Sequence, residues 1–215
     1  MTRKLLLVAA CLLSPFTFAQ AQVPANSPIK ITGIEIEKNA LTPEFTIGVG
    51  PQKKAKSQMW LWVETSFTYT PTARNAPPLD DLKLTYYILL NDTSATNRLG
   101  TLLVGSVTHT GISPGGPNDV HHSVMLVSPQ VLKRYFDGKV PSNIQTAAQA
   151  IGVTATVQGQ LVAELSIGKG QGRTQWWNQF QQGPPGLVLS KDQTPFAPLF
   201  YDYFEATKAQ PPGAY

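Results

Sequence analysis

From Ile29 onward the chain alternates apolar and polar residues in short runs closed by Gly, Pro, Asn or Asp, the rhythm of antiparallel strands joined by turns. In IKITGIEIE, Ile29 and Ile31 share one parity and Ile34 and Ile36 the other, so a β-bulge at Thr32-Gly33 is expected to bring all four to one face. EFTIGV, Glu44 to Val49, predicts a second strand. MWLWVETSFTY has the clearest period of two: Met59, Leu61, Val63, Phe67 and Tyr69 face one way, Trp60, Trp62, Glu64, Ser66 and Thr68 the other. The first set belongs to a core between sheets, and the tryptophan face must be covered or exposed. LKLTYYILL turns Leu82, Leu84, Tyr86, Ile88 and Leu90 inward, and TLLVGSVTH and VHHSVMLV are further strands. PTARNAPPLDD, NDTSATNRLG and GISPGGPND carry the turn chemistry between them.

The period changes after Val127. SPQVLKRYFDG predicts a helix, with Ser128 as cap, Pro129 at the first helical position and Gly138 as the left-handed closing residue. Val131, Leu132, Tyr135 and Phe136 form its apolar stripe. SNIQTAAQAIG predicts a second helix, since Ser142 and Gln145 make a capping box and Ile144, Ala147, Ala148 and Ile151 fall at helical spacing. VTATVQGQLVAELSIG is a hairpin. A three-residue loop, Gln158 to Gln160, pairs Val157 with Leu161, Ala155 with Ala163 and Val153 with Leu165, whereas a two-residue Gln-Gly turn would set leucines beside threonines. TQWWNQF is a short helix carrying Trp176, Trp177 and Phe180. In DQTPFAPLFYDYFE two prolines bar a hydrogen-bonded strand, and FYDYFE is expected to close the sheet as an edge strand that buries one aromatic pair, the alternative for this segment being a ligand platform. The chain is therefore expected to be all-β, an antiparallel β-sandwich with two or three short helices inserted in its second half.

Met1 to Ala21 stands apart from this pattern. Arg3 and Lys4 precede an apolar run, Leu5 to Leu13, too short to span a bilayer, and Ala19-Gln20-Ala21 fits a small-residue cleavage site. Residues 1–21 are expected to be a removed signal peptide, 22–208 a single sandwich domain and 209–215 a loose tail. A lipoprotein-like box, Val8-Ala9-Ala10-Cys11, leaves only about six apolar residues ahead of the cysteine, which weighs against lipidation. Cys11 is the only cysteine, so the exported protein would have no disulfide and must be held by packing. Without Arg3 and Lys4, 15 basic residues face 13 acidic ones, a net charge near +2 that gives no nucleic-acid footprint. No apolar stretch after Ala21 approaches the roughly eighteen residues of a membrane span.

Few residues suggest chemistry. His121 and His122 point to opposite faces of a strand and cannot grip one metal ion, although His109 is able to approach His121 or Asp119 across the hairpin. GKGQGR lacks the strand, the Gly-Lys-Ser/Thr ending and the helix of a phosphate loop, and neither GxSxG nor HExxH occurs. No catalytic residue, cofactor or metal ligand is assigned, and the expectation is a non-enzymatic protein. Trp60, Trp62, Trp176 and Trp177 are the candidate ligand or partner contacts, because exposed indoles stack on sugars and anchor protein partners. The competing expectation has the TQWWNQF helix lie over the MWLWVE strand, so that the four indoles cover one another.

Taken together, MWLWVETSFTY, LKLTYYILL, VHHSVMLVSPQVL and DQTPFAPLFYDYFE give the chain a resemblance to the immunoglobulin-like exported protein encoded in the type IV pilus gene clusters of Verrucomicrobia. The resemblance implies an immunoglobulin-like sandwich in the cell envelope: periplasmic, outer-membrane-associated or on the surface. It implies protein partners, pilus components among them, and carries no catalytic or ligand residue. QVPANSPIK lacks the apolar N-terminal helix with which pilin subunits polymerise, so an accessory role is expected rather than that of a shaft subunit. The alternative is a carbohydrate-binding module using exposed tryptophan faces.

Overall fold

The computed structural model describes residues 23–44, 57–73, 75–93 and 100–208. Two four-stranded sheets stack face to face. One has the order β1 (Ile29–Ile36), β2 (Leu61–Tyr69), β5 (His121–Val127), β8 (Val188–Ser190); the other has β4 (Thr101–His109), β3 (Leu82–Leu90), β6 (Ala148–Val157), β7 (Gln160–Gly168). Every neighbouring pair is antiparallel. The expected leader with Cys11, the tail 209–215, residues 94–99 of the NDTSATNRLG connection and all but Glu44 of the strand expected over Glu44 to Val49 lie outside the described residues.

The inward set follows the period of two. Leu82, Leu84, Tyr86, Ile88 and Leu90 of β3 meet Leu61, Val63, Phe67 and Tyr69 of β2 in one buried cluster, with Met125, Val127, Val153 and Ala155. The register of β1 on β2 shifts between Ile31 and Gly33, and this bulge keeps Ile29, Ile31, Ile34 and Ile36 on the core side. α1 (Pro129–Tyr135) forms as expected: the Ser128 side chain accepts from Val131 N, Pro129 opens the helix, and Gly138 adopts φ +76° beyond it.

Three expectations are corrected. SNIQTAAQAIG is not helical beyond a single 3-10 turn at Ile144–Thr146; its alanines open β6 instead. Alanine fits a helical stripe and a crowded strand equally well, and β6, lying between β3 and β7 and covered on both faces, shows no alternation to betray it. The β6–β7 hairpin turns through two residues, Gln158 at φ 50° and Gly159 at φ 79°, both in the left-handed region that a primed two-residue turn requires. A register shift between Ala155 and Thr156 then restores the expected Ala155–Ala163 and Val153–Leu165 pairs, at the cost of setting Thr156 beside Leu161. Finally, FYDYFE is not a strand. β8 takes the sheet edge with three residues, and the chain then passes through a 3-10 turn, Lys191–Gln193, into successive turns over 194–204.

Candidate functional site

Each sheet has an outer face, and the four tryptophans are divided between them. Trp60 and Trp62 project from the outer side of β2 and are buried under the C-terminal segment. The Phe196 ring meets both edge-on, with centroids 5.5 and 5.2 Å away, and Trp60 Nε1 donates to Thr42 Oγ1 at 3.0 Å. Trp176 and Trp177 are buried on the outer side of the other sheet with Leu89, Leu102 and Ala150. The Trp177 ring lies parallel to Tyr87 at 4.2 Å, and Trp176 Nε1 donates to Ser166 Oγ at 3.1 Å. The two pairs thus do not cover each other, as the expected helix-over-strand packing required. Each is covered by chain that follows a different strand, because both sheets bury apolar outer faces. The outward parity of Tyr87, Leu89 and Leu102, together with Gly152, was the available sequence signal for the second cluster.

The exposed aromatic surface lies elsewhere. Phe196 is buried, but Phe200, Tyr201 and Tyr203 of the same segment are 60%, 81% and 48% exposed. With Leu41, 50% exposed, Phe200 and Tyr203 bound a groove of about 490 Å³ over the outer face of β1 and β2. Its floor is Trp62, Phe196 and Phe204, and its charged residues are Glu37 and Glu64. The Tyr203 hydroxyl donates to Glu64 Oε1 at 2.7 Å, and the His122 ring stacks on Tyr203 at 4.2 Å while its Nδ1 lies 3.0 Å from the same oxygen. Desolvation, then the hydrogen bond to Glu64 and its charge, push the Tyr203 phenol up to about 12, so it stays a neutral donor. Ser66 Oγ is also near His122, at 3.5 Å, but against Nδ1, the nitrogen that faces Glu64. A serine–histidine–carboxylate relay needs the two ring nitrogens on different partners, so this trio is no nucleophile–base pair.

Two of the chain's three histidines, His109 and His121, hold the residues that follow the groove. His121 Nδ1 lies 2.7 Å from Glu205 Oε1, on the inner face with Phe67, while His122 faces outward. His109 is 2% exposed, and its partners fix its tautomer: Nδ1–H donates to the Ala206 carbonyl at 3.3 Å, and Nε2 accepts from the Ser123 hydroxyl at 2.8 Å. Ser123 accepts in turn from the Tyr86 hydroxyl at 3.0 Å. Among the described residues no group of three or more His, Cys, Asp or Glu is placed to hold a metal ion. A smaller cavity of about 340 Å³ lies beneath residues 204–207. Its polar side chains are engaged in holding the segment, with Lys191 Nζ donating to the Ala197 carbonyl at 2.7 Å and Thr207 bonded to Asp192.

A protein-family model matches residues 20–211 of the chain. No curated protein matches it. Among solved structures, the crystal structure of a protein from Akkermansia muciniphila is similar, with a TM-score of 0.66 at 18% sequence identity, over 89% of this chain and 100% of that one. Identity at that level establishes a shared fold. No helix among the described residues is long and apolar enough to cross a membrane.

Proposed function

The chain belongs to the family whose model spans residues 20–211, and from that premise we propose that it is a non-enzymatic interaction protein of the cell envelope, associated with type IV pilus assembly or the cell surface. The observation that carries the reading is the cluster of exposed rings, Phe200, Tyr201 and Tyr203, held over a sandwich whose tryptophans are all buried. Aromatic side chains outside a packed core are the anchors of protein interfaces. The leader-like residues 1–21 and the lack of cysteine after position 11 fit export without disulfides.

An immunoglobulin-like classification has topological support. The sheet β1-β2-β5 follows the order of immunoglobulin strands A, B and E, and β4-β3-β6-β7 follows C′, C, F and G. β8 takes the edge position of strand D, although it arrives from the C-terminal end of the chain. The structural likeness to a protein of Akkermansia agrees with the resemblance to the Verrucomicrobial pilus-cluster family. The carbohydrate-binding alternative loses its premise, since the indole faces on which it relies are buried.

Chemical crosslinking in intact cells, followed by identification of the attached protein, tests this proposal. Capture of pilus or other assembled envelope components is expected. Capture of soluble periplasmic enzymes alone would remove the pilus assignment.

A further inference from the structure

Phe200 adopts φ 54°, the left-handed region that a bulky side chain avoids. The other non-glycine residues with positive φ among those described are Asp81, Asp137, Gln158 and Gln175, all polar residues in turns or at element ends. Strain of this kind persists where the surroundings impose it, and it collects at ligand clamps. At Phe200 the carbonyl accepts from Tyr203 N and Phe204 N, which holds the turn, while the ring itself is 60% exposed and meets Trp62 edge-on, 6.1 Å between centroids. Glycine would suit the backbone better. What the strained phenylalanine supplies is an open aromatic face at the mouth of the groove.

The groove's charge narrows the occupant. The chain as a whole is basic, +4 over its full sequence, yet among the described residues the groove lining holds Glu37 and Glu64 and no lysine or arginine. On Glu64, Tyr203 and His122 both use Oε1, so among the described residues Oε2 takes no hydrogen bond. An open carboxylate oxygen beside exposed phenyl and phenol rings suits a planar cation that both stacks and donates, which arginine does and an ammonium does only in part.

We infer that the groove bounded by Phe200, Tyr203, Leu41, Glu37 and Glu64 is the docking site for an arginine-bearing segment of a partner protein. The guanidinium lies against the Phe200 ring and pairs with Glu64 Oε2, while the partner's apolar neighbours cover Leu41. This rests on the reading of the chain as an interaction protein and supplies the chemistry of its partner. A neutral sugar would leave the two carboxylates without counter-charge, and a second copy of this chain would bring its own acidic groove.

The test is a titration of the exported protein, followed by amide NMR, with the peptide acetyl-Gly-Arg-Gly-Arg-Gly-amide, its citrulline analogue and a neutral oligosaccharide, with self-association measured alongside. The arginine peptide should shift the amides of Leu41, Glu64 and Tyr203. Affinity should fall about tenfold or more with citrulline, with Phe200→Gly and with Glu64→Gln. Phe200→Gly should melt within a few degrees of the wild type, since strain relief offsets the lost ring contact. Equal binding of the citrulline peptide, shifts confined to other surfaces, the same amides answering to the oligosaccharide or to self-association, or no saturable binding at all would each overturn the inference. An arginine-specific groove whose partner in the cell proves unrelated to pili would leave the site standing and remove only the pilus reading.

Discussion

Replacing Trp177 by alanine should lower the unfolding free energy by about 3–5 kcal/mol and should make a second change, Gly152→Ala, nearly without effect. Trp177 is buried and stacked on Tyr87, with ring planes 8° from parallel, so its removal leaves a cavity on the outer face of β3 and β6. Gly152 is the floor of that packing. A Cβ there would stand 2.7 Å from Trp177 Cε3 and 3.3 Å from Ser166 Oγ, closer than the indole can tolerate in place. In the wild type, Gly152→Ala should therefore cost about 1–3 kcal/mol through displacement of the ring. Once the ring is gone, the nearest atom left is Ser166 Oγ, a side-chain oxygen that needs to give by only a few tenths of an ångström, and alanine's lower unfolded-state entropy offsets that small cost. Urea unfolding of the four proteins in the cycle should show a coupling of at least about 1 kcal/mol. Additive effects would place the indole elsewhere.

That pair also marks the boundary of what the amino-acid pattern discloses. The inward faces of β2 and β3 were legible because one side of each strand is apolar apart from Thr65, and period two leaves no other assignment for Leu61, Val63, Leu82 or Leu84. The bulge at Thr32-Gly33 was legible because the parity of the isoleucines breaks there. β6 was not: buried on both faces, it has no alternation, and its small residues imitate a helical stripe. The covers of the tryptophans were not legible either, since which segment lies over an outer face is decided by connections of many residues rather than by local spacing. For the same reason the groove escaped sequence reading. Its residues come from positions 37–41, 62–64 and 196–204, and the strain at Phe200 is visible only once the backbone is known.

The second large effect concerns His109. Burial holds its imidazole below the ordinary histidine value, and the two carbonyl and hydroxyl partners described above require the neutral ring. The sign follows directly. The unfolded chain takes up a proton as pH falls through about 6.5, the folded protein does not until lower pH, and so stability is lost on acidification, by up to about 1.4 kcal/mol per pH unit for this one group. Between pH 7 and pH 5 the midpoint of urea unfolding should decline for the wild type. His109→Leu leaves the buried Ser123 hydroxyl without its acceptor, which should cost about 1–3 kcal/mol at pH 7, while the Ala206 carbonyl keeps its bond from Thr110 N. The variant should also lack this part of the acid dependence, so the difference between the two profiles isolates His109 from the other titrating groups. Parallel profiles would mean that the ring is accessible to solvent in the folded state. The Tyr86 phenol at the far end of the chain, pushed up to about 12 by burial, remains a donor throughout that range.

The central physical claim is that the indoles are structural and that recognition falls to the rings outside them. Since Trp60, Trp62, Trp176 and Trp177 are the only tryptophans in the sequence and all are buried, tryptophan emission reports directly on the first half of this claim. The direct measurement is quenching of that emission by iodide, in the presence and absence of oligosaccharides. Blue-shifted emission that iodide scarcely quenches until the protein is unfolded, with no response to glycans, is the predicted result. Quenching close to that of free indole in the folded protein, or a spectral shift on adding a glycan, would contradict it.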